Sequence, residues 1–185
     1  MSTMDNAYNS YMEARTLPKK IVDYLFNNNS DFWKLLYYET DPDTKKDLTS
    51  AQKAKMICKT SSGDTGQYNV LFQHYNNDAM KDATTQVRIE IMKIDSLNRS
   101  DAQVRVLFQV IVNNKLMVVN TKVSNVDNRA TAIMQSLVES LNGLKLEGLK
   151  TPLNIDFSQD RYSGVNETFF NSEFSGYEVV MSCIV

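Results

Sequence analysis

Few side chains in this sequence are of a type and spacing that could carry out a reaction. His74 is the single histidine, and the cysteines are Cys58 and Cys183. A nucleophilic relay would need His74 beside a serine or cysteine and an orienting carboxylate; its flanks, FQHYNN, supply neither. It reads as a loop histidine. The HExxH, CxxC and clustered Cys/His spacings that hold zinc are missing. Asp41, Asp43 and Asp47 have part of the spacing of a calcium loop, without the glycine and terminal glutamate such a loop requires. Asp41-Pro42-Asp43 reads instead as an acidic helix break. SSGDTG and GLKLEG are glycine turns that lack the order of a phosphate cradle. Paired carboxylates are the last catalytic option: Asp156 with Asp160, or Glu167 with Glu173. Acid/base work would need them in a pocket that drives their pKa values apart. No catalytic, cofactor-binding or metal residue is assigned, and the expectation is a protein that is not an enzyme.

The elements that would have to position such residues are, by contrast, well marked. The chain has 185 residues, 42% of them hydrophobic and 23% charged, which suits one domain with a real core. The net charge of −2 gives no global basic field toward DNA or anionic lipid. There is no basic-plus-apolar leader and no apolar run of bilayer length, so a soluble, intracellular protein without membrane contact is expected. Cys58 and Cys183 lie in apolar contexts, MICK and VMSCIV, as buried thiols do. N-x-S/T triplets at Asn28, Asn98 and Asn166 carry no weight without a secretion signal.

Residues 1–16 are polar and read as a flexible arm that orders on a neighbour. Pro18 suits the first turn of a helix running to about Phe26, with Leu17, Ile21, Val22, Leu25 and Phe26 on one face. Ser30 is a candidate N-cap for the aromatic helix DFWKLLYY, and Thr49 or Ser50 starts another turn before a strand KMICK. Residues 60–83 are expected to project as a hairpin or loop outside the core sheet, with a strand over Tyr68 to Tyr75. TTQVRIEIMKI and AQVRVLFQVIV alternate with period two and are half-buried strands of a meander. The second turns apolar on both faces near its end, which predicts cover on both sides. Asn113-Asn114 is read as the turn into a further strand, KLMVVNT. The period then changes. Ala130, Ile133, Met134, Leu137, Val138 and Leu141 share a helical face, and Asn142-Gly143 ends it. PLNIDF is a strand, RYSGVNETFFNSEF a loop, and GYEVVMSCIV the closing strand. The expected fold is α+β: N-terminal helices, an antiparallel β-meander, one amphipathic helix packed on the sheet and closing C-terminal strands, with residues 17–185 as a single domain. The alternation places Arg88 and Arg105 on the polar face of the meander, open to an electrostatic contact with a neighbouring subunit or DNA.

This order of elements resembles the tail-terminator and tail-completion proteins of tailed bacteriophages. The stretches that carry the resemblance are LPKKIVDYLF, VRIEIMKI with VRVLFQVIVNN, NRATAIMQSLVESLN and FSGYEVVMSCIV, spread over residues 17–185. A head–tail connector ring protein of the phage neck fits the same pattern. The resemblance implies a structural virion protein that forms a ring homo-oligomer. The ring would cap the tail tube or join it to the capsid connector. Its partners would be copies of itself and other connector or tail-tube proteins, with DNA passing through the lumen without specific binding. It would be located in the virion, and in the host cytoplasm during assembly. A ring is one heterologous contact repeated until rotation closes it. The aromatics Phe72, Tyr75, Tyr162, Phe169 and Phe170 are the expected anchors of that contact, with Arg88 and Arg105 beside them. A small α+β module that binds a ligand or peptide without catalysis is the competing reading, and predicts a monomer with an apolar cavity.

Overall fold

Two long strands dominate the fold, as their period-two alternation requires. In the computed structural model, which describes residues 3–58, 68–72, 84–158 and 164–185 (side chains from Ser10 onward), four helices lie on a mostly antiparallel six-stranded sheet. The helices are α1 (Thr3–Asn28), α2 (Ser30–Tyr37), α3 (Ser50–Met56) and α4 (Arg129–Leu141). The strands are β1 (Val70–Leu71), β2 (Thr85–Ser96), β3 (Ala102–Asn113), β4 (Val118–Val119), β5 (Asp127–Asn128), β6 (Asn154–Ile155), β7 (Val165–Phe169) and β8 (Phe174–Ile184). The α+β class is therefore as expected, but the sheet order is β1-β2-β3-β8-β6, with β7 also paired to β8. KLMVVNT does not continue the meander. Asn114–Leu116 form a 3-10 turn, and β4 pairs only with β5 in a separate two-stranded ribbon. The closing strand β8 takes the place beside β3.

One face of the sheet packs on the helices. Val87 and Ile89 of β2, Val104, Val106, Phe108, Val110 and Val112 of β3, and Val179, Met181 and Cys183 of β8 are buried there. Opposite them, α1 buries Ala14, Leu17, Ile21, Val22 and Leu25, and α4 buries Ala130, Ile133, Met134, Leu137 and Leu141. The end of β3 is covered on both faces, as its sequence predicts: Ile111 is buried on the far side against Phe174, with Phe170 packed beside them.

Several boundaries differ from the sequence reading. The segment expected as a flexible arm is helical from Thr3, and Pro18 lies inside α1 rather than at its first turn. An interior proline removes one backbone donor and costs about 3 kcal/mol. Burial of Ser10 and Ala14, a turn and more before it, keeps the preceding segment docked. The cap of α2 is Asn29, not Ser30: its side-chain Oδ1 accepts from the Phe32 N–H at 2.8 Å. The Asn29 amide donates to the hydroxyls of Ser136 and Ser140, which fixes α2 against α4. The Trp33 indole N–H donates to the Leu25 carbonyl at 2.9 Å, which also accepts from the Asn29 N–H at 3.1 Å at the end of α1. Thr49 caps α3 through a reciprocal box with Gln52, so KMICK begins as helix, and only Ile57 bridges to the sheet. VNETF, read as loop, is β7. Val70 and Leu71 of the expected projection are buried in the sheet, as a parallel strand beside β2. Residues 60–67 and 73–83 of that projection, His74 among them, lie outside the described residues. Among the described residues, no helix is long and apolar enough to cross a membrane.

Candidate subunit interface

The face of the sheet away from the helices carries a row of polar side chains across four strands. Register aligns Arg88, Gln109, Glu178 and Asn166. Gln109 Nε2 donates to Glu178 Oε2 at 3.4 Å, and Arg88 Nη2 lies 3.5 Å from Gln86 Oε1. Arg88 has no exposed surface, and Gln86 is 3% exposed. This corrects the expectation drawn from alternation. Period two predicts which face a side chain takes, but here the polar face is itself covered at β2. Arg105, on the same face, lies with Nε 3.0 Å from Asp156 Oδ2, and both side chains are largely buried. The two arginines are thus engaged within the chain and do not present a basic surface to a neighbour.

The same pair favours the charged form of Asp156, the opposite of what a general acid needs. Burial pushes its carboxyl up, but hydrogen bonds from the Ser158 N–H and hydroxyl, then Arg105, outweigh burial and hold it below the usual carboxylate range. Its proposed partner Asp160 lies outside the described residues, and Glu167 and Glu173 are exposed on the surface. A lowered folded-state pKa contributes stability above the ordinary value of about 3.9, lost as pH falls through the folded value. Asp156→Asn is therefore expected to cost about 1–3 kcal/mol at neutral pH, the worth of hydrogen bonds to a charged group. In urea titrations at stepped pH, the gap to the parent should narrow below pH of about 4. Burial also pushes the Cys183 thiol up to about 12, which keeps it protonated and inert. No cluster of histidine, cysteine and carboxylates able to hold a metal occurs among the described residues.

Of the expected anchors, Phe169 is 74% exposed and Phe72 is 40% exposed. Phe170 turns inward onto Ile111 and Phe174, as the alternation of β7 dictates. Tyr75 and Tyr162 lie outside the described residues. The structure adds two apolar side chains that sequence reasoning passed over. Val165 shares the outward face of β7 with Phe169 and is 47% exposed. Phe157, 78% exposed, follows Asp156, whose carbonyl accepts from the Gly164 N–H next to β7. The period-two run Val165, Glu167, Phe169 was a usable signal, hidden by its Asn, Ser and Gly flanks. Among the described residues, β7 pairs with β8 on one side only, so it forms an edge of the sheet.

At the other edge, β1 pairs with β2 only at Val87 and Arg88, and β2 runs on past it. A register shift between Ile91 and Lys93 marks a bulge, and Lys93 pairs with Asp95 at 3.0 Å. Beside this edge, α1, α3 and β2 enclose an open cleft of about 910 Å³. Val22, Phe26, Ile57, Phe72, Ile89 and Ile91 supply its apolar lining.

The YomW family model matches residues 29–183, from the cap of α2 to the end of β8, and leaves out α1. The chain belongs to the YomW family. No curated protein matches the sequence.

Proposed function

We propose that this member of the YomW family is a structural virion protein of a tailed phage, whose copies join head to tail in a ring. That ring terminates the tail tube or joins the tail to the capsid connector. The observation that carries the reading is the β7 edge, where Val165, Phe169 and neighbouring Phe157 place large apolar side chains in solvent on an open strand. A protein that works as a monomer blunts such an edge with charge, proline or a bulge, because an open apolar strand recruits other chains. The bulge and the Lys93–Asp95 pair at the opposite edge do this; at β7 only Glu167 interrupts the apolar strip. Two dissimilar edges suit a heterologous contact, the kind that generates rings. The order of elements that resembles tail terminators adds the phage setting.

The test is mass photometry of the parent and of Phe169→Ser over a concentration series. The parent is expected to move from monomer to one defined higher mass. Phe169→Ser should shift that transition by tenfold or more in concentration, since a buried aromatic anchor is worth about 2 kcal/mol. Its melting temperature should stay unchanged, because Phe169 is 74% exposed. Equal transitions for the two proteins would count against the reading. The cleft supports the competing module that binds a ligand or peptide; that reading requires a monomer at all concentrations.

A further inference from the structure

A head-to-tail ring needs a second surface, unlike β7, to receive the β7 strip. The edge of β2 is a poor receiver. Its bulge bends the strand, and Lys93 and Asp95 stand where an incoming strand would pair. The cleft beside it has the complementary character. Its floor is apolar. Its rim carries Arg15 and Lys19, with Lys53 and Lys55 on adjoining α3, against Asp23 and Glu90. Lys19 is matched by Asp23 and the lining charges balance, so the positive excess beside the cleft comes from Lys53 and Lys55 of α3. The outward face of β7 reads apolar, acidic, apolar over Val165, Glu167 and Phe169, and exposed Glu173 follows. A volume of about 910 Å³ is ample for a phenylalanine and a valine side chain together.

Taking the ring reading as its premise, we infer that the cleft between α1, α3 and β2 receives the β7 strip of a second copy of this chain. Phe169 and Val165 enter the apolar floor, and Glu167 meets Arg15 on the rim. Cleft and strip lie at opposite edges of one sheet, so each copy gives with one edge and takes with the other. Repeated head to tail, such a contact generates a ring where its rotation closes.

The test uses whole chains with one surface removed in each: a strip variant, V165S/F169D, and a cleft variant, A54E/F72D. All four positions are partly or fully exposed, and thermal melts check that both variants fold. Each alone is expected to be monomeric by mass photometry. An equimolar mixture is expected to give a heterodimer and nothing larger, because one intact strip then meets one intact cleft. Arg15→Glu, on the exposed face of α1, offers a milder second probe and should weaken assembly at least about tenfold by placing like charge against Glu167. If the parent assembles while the cleft variant and Arg15→Glu assemble equally well, the cleft is not the receiver and the ring reading stands. The cleft is likewise ruled out as receiver if the mixture stays monomeric beside an assembling parent. If the parent itself is monomeric at every concentration, both fall.

Discussion

Replacing Arg129 by alanine is expected to destabilise the protein by at least about 3 kcal/mol, a large part of the total of about 5–15 kcal/mol for a domain. By local rules this arginine is misplaced. It is the first residue of α4, where the helix dipole disfavours a cation by about 0.3–1 kcal/mol. Its tertiary partners explain it. Nη1 donates to the carbonyls of Leu35 at 2.6 Å and Tyr38 at 2.8 Å, Nη2 donates to the Glu39 carbonyl, and Nε donates to the Leu116 carbonyl at 2.7 Å. Leu35 and Tyr38 belong to the end of α2, whose carbonyls lack intrahelical donors and favour a cation. One guanidinium thus ties α2, the segment after it and the turn before β4 to the start of α4. Burial lowers its pKa, opposed by the Glu39 charge, yet a guanidinium keeps its proton. Charge-assisted bonds are worth about 1.5–3 kcal/mol each, so even after relaxation and water entry the loss exceeds the dipole gain several-fold. Arg129→Lys should recover less than half, since one ammonium cannot span carbonyls that a planar fork reaches. Urea midpoints of the parent and both variants check this.

The second large effect is expected at Gly176. This residue sits inside β8, opposite Ile111 of β3 on one side and Thr168 of β7 on the other. A Cβ added there would lie 1.8 Å from the Val110 carbonyl oxygen and 2.9 Å from its carbon. Both atoms are backbone, so relief requires separating β3 from β8 at the centre of the sheet. Overpacking a core typically costs about 1–3 kcal/mol; a backbone clash in a central ladder exceeds that. Gly176→Ala is expected to lose more than about 3 kcal/mol or to fail to accumulate as folded protein. Gly143→Ala is the control. Gly143 follows α4 with φ +84°, and nothing lies within 4 Å of the added Cβ, so only the left-handed conformation opposes it, at about 1–2 kcal/mol. Comparable midpoints for the two variants would contradict this picture of the β3–β8 ladder.

The parts of this fold that were legible in the sequence are those where burial has a period. β2, β3 and β8 alternate, and α4 repeats at three and four residues, so both types stand out. The N-terminal turns of α1 do not, because they bury small or polar side chains such as Ser10 and Ala14. Pro18 then draws the apparent start of the helix toward itself. KLMVVNT looks like a core strand from its valines, yet Val118 is 68% exposed in a two-stranded ribbon. Arg88 shows the limit of the same logic for sites. Charge and alternation assign a face to it, while burial depends on what covers that face. Residue type marked Phe169 and its neighbour Phe170 alike, while the structure leaves Phe169 exposed and packs Phe170 on Ile111 and Phe174. The cleft could not be foreseen, since its lining comes from α1, α3 and β2, far apart in sequence.

Ring formation is tested most directly by negative-stain imaging of the purified chain at the concentrations where its mass increases. Closed rings of uniform copy number, joined edge to edge through the β7 strip, are the expected result. Particles of monomer size only, at every concentration, would contradict it.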